Sequence, residues 1–152
     1  MNKILKRITP FLIILIVGCG YKPLLKNNNL FSINNLNLDG DTKINQILSN
    51  SFYALRNNKK ENNYDLNIQT EQNKIIISKD SKGDPLIYEI IVKIDFKVIQ
   101  EEEILLEKNL TKKNSYNNLS DKLDLEKYED DLIYNLINNV YDDIVFSISN
   151  LN

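Results

Sequence analysis

Histidine and tryptophan are absent from the 152-residue chain, cysteine occurs once, at Cys19, and alanine once, at Ala54. Without histidine, neither a Ser-His-Asp triad nor a Cys-His pair can be assembled, and one cysteine cannot found a Cys/His zinc site. Much of common enzymology is thereby excluded, and we expect no enzyme, no catalytic residue and no metal centre. A lone cysteine also rules out a disulfide within the chain, so stability must come from packing. What is present fits one domain: the hydrophobic content of 42% is enough for a single core, and the length is too small for two comfortable units. Asn, Lys and Ile are abundant in the pattern of AT-rich codons, so an isolated Asn carries little information.

The first residues have a distinct organisation. Lys3, Lys6 and Arg7 form a basic start, and Ile8 to Val17 form an apolar run interrupted by Thr9 and Pro10. A run of this length is a secretory signal, too short for a helix that must supply about 20 apolar residues to cross a bilayer. An ordinary signal-peptidase site needs small residues at −3 and −1, and Ile16 serves the first badly. The sequence Ile16-Val17-Gly18-Cys19 instead resembles the bacterial lipobox, in which the thiol receives a diacylglyceryl group, the chain is cut before the cysteine and the new amine is acylated. Cys19 is thus the expected lipidation site, and its covalent lipid is the only prosthetic group expected. Several acyl chains, at about 0.8 kcal/mol per buried methylene, hold such a protein on a membrane essentially permanently. Gly20 stands where the enterobacterial sorting pattern places Asp in proteins kept at the inner membrane, which points to the outer membrane, periplasmic side. Loss of residues 1–18 lowers Lys+Arg from 19 to 16 against 21 Asp+Glu, a formal charge of −5. A chain with that balance is not expected to bind nucleic acid.

Residues 19–29, with Pro23 and an Asn run, read as a lipidated tether, and residues 30–152 as a single domain. A stretch at 30–38 alternates Phe31/Ile33 and then Leu36/Leu38, a strand with a bulge at Asn34-Asn35. Gly40 and Asp41 end it. Ile44, Ile47, Leu48, Ser51, Phe52 and Leu55 then recur at helical spacing, predicting one helix over 41–57. Tyr64, Leu66, Ile68 and Thr70 open a long strand that continues through Ile75-Ile76-Ile77, with an irregularity expected near Gln72-Asn73. Residues 78–85 carry the Gly, Asp and Pro of a hairpin. Tyr88, Ile90, Val92, Ile94, Phe96 and Val98 alternate with mostly charged residues in the clearest strand of the chain. A charged turn at 100–103 leads to a fourth strand at 104–112. A helix over 121–148, capped by Ser120 or Asp121, carries a stripe of Leu125, Tyr128, Leu132, Leu136, Val140 or Tyr141, Ile144 and Ile148. The order β-α-β-β-β-α predicts an α+β two-layer sandwich, two helices packed on one face of a four-stranded, mostly antiparallel sheet.

Two acidic clusters, Glu101–Glu103 and Glu129–Asp131, read as solvated surface because neither has the spacing of a cation site. Lys79 and Lys82 in the hairpin, Lys112 and Lys113 after the fourth strand, and Lys122 and Lys127 at the start of the last helix read first as solubilising charge. They can also grip a phosphorylated ligand as point charges. Tyr128 and Tyr141 belong to the buried stripe. Ile91, Ile99, Leu105 and Leu110 lie off the main apolar face, as in a domain whose second sheet face meets a partner.

The stretch "VGCGYKPL", the element order and the closing segment "SYNNLSDKLDLEKYEDDLIYNLINNVYDDIVFSI" together resemble the lipopolysaccharide-assembly lipoprotein LptE family in its short, alphaproteobacterial-type form. Cys19, Gly20, Tyr21 and Leu24 match the family's start of the mature chain; Ser115-Tyr116, Asp130-Asp131 and the apolar stripe match its last helix. The family's helix alanines are replaced here by Ile, Asn and Tyr. The resemblance implies a non-enzymatic outer-membrane lipoprotein that plugs the large β-barrel LptD, supports its assembly and takes part in inserting lipopolysaccharide into the outer leaflet. Lys79 and Lys82 fall where the family's ligand-contacting hairpin lies, and Lys122 or Lys127 is expected to reach the same end. The rival reading is a periplasm-facing carrier or chaperone that binds acyl chains, or an outer-membrane protein.

Overall fold

The computed structural model describes residues 31–57 and 60–151. The signal, Cys19 and the tether lie outside the described residues. Strand β1 (Phe31–Gly40) leads to helices α1 (Thr42–Ser51) and α2 (Tyr53–Asn57), then to β2 (Asn62–Lys79), β3 (Pro85–Gln100), β4 (Glu103–Asn117) and helix α3 (Lys122–Ser149). The strands form one sheet in the order β1-β2-β3-β4. β1 runs parallel to β2, and the two later pairs are antiparallel. The fold class is the α+β sandwich expected from the sequence, with a mixed sheet and, among the described residues, three helices.

One face of every strand faces the helices. Tyr64, Leu66 and Ile68 of β2 and Ile90, Val92, Ile94, Phe96 and Val98 of β3 are buried against Ile44, Leu48, Phe52, Ile137, Val140 and Ile144. Side chains of this size each contribute roughly 1.5–3 kcal/mol on full burial, so the shared core holds the two layers together. The Phe52 ring meets Tyr141 edge-on at 4.9 Å, tying the first helical segment to α3.

Several local expectations need correction. The helix expected over 41–57 breaks at Phe52, whose N–H bonds back to Leu48 O at 2.9 Å; the short α2 turns Leu55 into the core. Asp41 starts α1 by accepting from Ile44 N at 3.0 Å, and Asp121 starts α3 by accepting from Leu123 N and Asp124 N, both as N-caps. The bulge between Ile33 and Leu36 is present. The irregularity expected near Gln72-Asn73 lies instead around Ile77, where β2 and β3 slip register. The pairing of Gln72 with Val92 and Asn73 with Ile91 is regular. β2 continues to Lys79 and β4 to Asn117, so both strands outrun their expected ends. Leu110 faces the core, opposite Ile94, and is removed from the second-face set. Tyr128 is 46% exposed rather than buried, because Ile133 and Ile137 rotate the buried stripe away from it.

Candidate functional site

The sheet is longer than the helix layer that covers it at one end, and that end is where the candidate residues gather. β2 closes at Lys79, the turn 80–84 reverses the chain, and β4 and α3 return to the same place. There Asn118 donates from its backbone N–H to Leu86 O at 2.8 Å and from its side chain to Pro85 O at 2.9 Å.

The turn is closed by its own groups. Asp80 accepts from the backbone N–H of Lys82 at 2.8 Å and of Asp84 at 2.9 Å, and Gly83 N donates to Asp80 O. Gly83 supplies the left-handed φ of +93° that the reversal needs. The backbone beneath Lys82 is therefore fixed while its side chain is exposed. Lys79, Lys82, Lys122 and Lys127 are all exposed, and among the described residues none of the four forms an ion pair. Lys112 is instead paired with Asp143 at 2.6 Å and Lys113 with Glu89 at 3.5 Å. The structure thus separates the sequence's lysine pairs into bound and unengaged sets. Exposed apolar side chains accompany the unengaged set: Leu86, Leu119 and Leu123, the last 70% exposed.

Behind this end lies a cluster that sequence reasoning missed. The sequence pattern puts Glu129 on a solvated surface, yet its side chain is only 18% exposed. Its Oε1 accepts from the Tyr116 hydroxyl at 2.6 Å and pairs with Lys74 Nζ at 2.5 Å. Lys74 Nζ also stands 4.3 Å from the centre of the Tyr88 ring, a cation–π contact. Tyr88 stacks on Tyr116 at 5.7 Å, and Tyr128 leans on Tyr116 at 5.9 Å. Burial foremost, then the hydrogen bond and charge of Glu129, push the Tyr116 pKa well above its usual value. The cluster is satisfied internally and anchors the start of α3 to the sheet; it offers no activated base or nucleophile. Only the alternation of Lys74, Tyr88 and Tyr116 onto one face signals it, and the register needed to align them is not written in any one strand.

The sheet face away from the helices is mostly polar, with apolar exceptions that include Ile75, Ile91 and Ile99. Asn37 donates to Asn67 at 2.8 Å, Asn35 to Asp65 and Asn109 to Asp95 at 2.5 Å, while Lys97 pairs with Glu107 at 3.0 Å. An open cleft of about 370 Å³ lies on it, lined by Asn37, Asp39, Asn67, Gln69, Asp95 and Lys97 among others. Ile91 and Ile99 are half-buried on this side. Among the described residues no group of three or more Cys, Asp or Glu side chains converges to hold a metal ion.

The architecture has solved counterparts. The rare lipoprotein B of Shewanella oneidensis matches with a TM-score of 0.59 and 17% identity, over 77% of this chain and 95% of its own. The uncharacterized lipoprotein B of Nitrosomonas europaea matches with a TM-score of 0.56 and 14% identity, over 84% of this chain and 88% of its own. A minor lipoprotein of Acinetobacter baumannii matches at 0.50 and 15% identity, over 80% and 91%. This chain has the fold of those bacterial lipoproteins. No protein-family model matches the chain, and no curated protein matches its sequence.

Proposed function

We propose that this protein is an outer-membrane lipoprotein of the LptE kind, anchored through lipid on Cys19, that fills the lumen of an LptD-like β-barrel and takes part in lipopolysaccharide insertion. The observation that carries the reading is a fold shared with solved lipoproteins, beginning at Phe31, shortly after the Ile16-Val17-Gly18-Cys19 lipobox. Two features support the finer part. The outer sheet face is polar over most of its area, interrupted by side chains such as Ile75, Ile91 and Ile99, which suits a water-lined lumen. The space between helices and sheet is filled by Phe31, Phe52, Phe96 and the buried Ile and Leu side chains, which suits a plug better than a carrier, whose lipid needs an apolar cavity of hundreds of Å³. At the hairpin end, exposed Leu86, Leu119 and Leu123 beside Lys79, Lys82, Lys122 and Lys127 pair apolar surface with positive charge, the two chemistries of a phosphorylated lipid.

The test is an affinity pull-down of C-terminally tagged protein from detergent-solubilised outer membrane, run on denaturing gels with and without boiling. A stoichiometric, heat-modifiable large barrel is expected. Recovery of the protein alone, carrying lipid, would overturn the plug reading in favour of a carrier. Metabolic labelling with radioactive palmitate, present in the wild type and absent in Cys19→Ser, tests the anchor separately.

A further inference from the structure

At the end of the sheet where the chain enters, the outer face changes character from one edge to the other. Asp65, Ile99 and Ile104 lie directly opposite one another across β2, β3 and β4, and Asn34 and Asn35 of the β1 bulge donate to Asp65. The row is polar on β1 and β2 and apolar on β3 and β4. Ile104 is 55% exposed, and Leu105, the extra residue of a bulge opposite Ile99, is 40% exposed. Alternation from core-facing Leu106 puts Leu105 on the outer face as well. Over the polar half lies an open cleft of about 250 Å³, lined by Asn34, Asn63, Asp65, Gln100 and Glu101 among others. Glu101, Glu102 and Glu103 rim the apolar half. All three are exposed, and among the described residues none of them forms an ion pair.

We infer that this surface is the docking site of the chain's own tether, with Asn27, Asn28 and Asn29 over the polar cleft and Leu24-Leu25 on Ile99, Ile104 and Leu105. The segment Lys22-Pro23-Leu24-Leu25-Lys26 carries two leucines between two lysines, and no acidic residue occurs between Cys19 and Phe31. It is the complement of a patch whose apolar side chains are rimmed by glutamates. Length agrees with charge. From Phe31, which pairs with Asn62, Ile104 is three strand spacings across the sheet and about three residues along it, some 17 Å in all. The six residues from Leu25 to Phe31 reach about 20 Å. Lys26 then falls beside Glu101, which lines the cleft and stands two residues from Ile99. Other occupants fit worse. Three apolar side chains bury far less than the roughly 1,000 Å² of a stable complex, and the glutamate rim repels both an anionic phospholipid surface and a second copy of itself. A segment of the same chain needs no such area, because its effective concentration is in the millimolar range. Docking also shortens the leash: residues 19–30 reach about 40 Å, and with Lys22 onward bound only about 10 Å remains. The entry end of the domain is then held close to the lipid. The inference needs no barrel partner and leaves the hairpin end free.

The test uses the full chain in its own membrane and compares disulfides formed within one chain under a mild oxidant. Leu25→Cys with Ile104→Cys is expected to cross-link several-fold more than Leu25→Cys with Arg56→Cys, whose second thiol lies exposed at the same end on the helix side. Faster migration on non-reducing gels reads the bond, and the chains with one introduced cysteine give the background from Cys19. Ile104, Arg56 and Glu101 are exposed, so none of the changes disturbs the core. Lys26→Glu added to the Leu25→Cys, Ile104→Cys chain is expected to cut the yield several-fold, and Glu101→Lys added to that to restore it. Equal yields from the two cysteine pairs, a yield unmoved by Lys26→Glu, or a disulfide between two chains in place of the internal one would overturn the inference.

Discussion

The Tyr116 hydroxyl and the Lys74 ammonium converge on one oxygen of Glu129, at 2.6 Å and 2.5 Å, so a single carboxylate joins β2, β4 and α3. Hydrogen bonds to charged groups are worth about 1.5–3 kcal/mol, and Lys74 remains on Glu129 when Tyr116 is changed. We expect Tyr116→Phe to lose about 1–2 kcal/mol at neutral pH. Because the folded state raises the Tyr116 pKa above its usual 10.0, the unfolded chain releases the phenol proton first. The contribution is therefore fully present below pH 10 and declines as the pH rises beyond it. Urea unfolding at neutral pH and above about pH 10 should show the gap between wild type and Tyr116→Phe narrowing. Buried Tyr64 and half-buried Tyr141 are shifted in the same direction by burial, and so add to the alkaline loss in both proteins.

Gly40 sits at φ +98°, and a Cβ placed on it would lie 2.0 Å from Thr70 O. Backbone cannot give way cheaply there, because the same Thr70 carbonyl accepts from Asp41. Gly40→Ala is expected to cost at least about 3 kcal/mol, combining left-handed strain with the clash. Gly83→Ala, where the added atom meets nothing within 4 Å, should lose only about 1 kcal/mol. Denaturant midpoints of the two variants would separate close approach from conformational strain.

Glu101 and Glu102 form the two-residue turn between paired Gln100 and Glu103, with φ values of 50° and 70°. Both left-handed positions are those of a type I′ turn, which favours Asn-Gly, and two adjacent like charges occupy them here. Replacing the pair with Asn-Gly should stabilise the protein by about 1–2 kcal/mol, read as a rise in the urea midpoint at unchanged slope.

Lys79, Lys82 and Lys127 are exposed and outside the ion pairs of the fold, so their replacement by Ala should leave stability within about 0.5 kcal/mol. The same triple variant should bind fluorescent lipopolysaccharide roughly tenfold more weakly, with a shallower dependence on salt, because long-range attraction to phosphate is what it loses. Unchanged affinity would remove the lysines from the ligand-contacting role.

The layers and the order of elements along the chain follow from period: the β3 alternation from Tyr88 to Val98 and the α3 stripe from Leu125 to Ile148 each fix a face. What periodicity does not encode is register between strands. Lys74, Tyr88, Tyr116 and Glu129 come from four segments, and only the β2–β3–β4 alignment brings them within contact. The break at Phe52 is hidden for a related reason, since Phe52 fits the helical stripe whether or not the helix continues past it. Gly40 is different: it stands between an alternating strand and a helical stripe, and its place at the parting of β1 from β2 follows from those two patterns meeting.

β2 has eighteen residues, which at strand rise is about 55 Å from Asn62, beside the point where the chain enters at Phe31, to Lys79. A bilayer with its headgroups is roughly 40–45 Å thick. A copy tethered near Phe31 at the inner leaflet and standing upright inside a barrel would therefore lift the hairpin lysines to the level of the opposite surface. In that arrangement strand length acts as a ruler: deleting two residues from each of β2 and β3, at paired positions, shortens the reach by about 7 Å while keeping every side chain on its face.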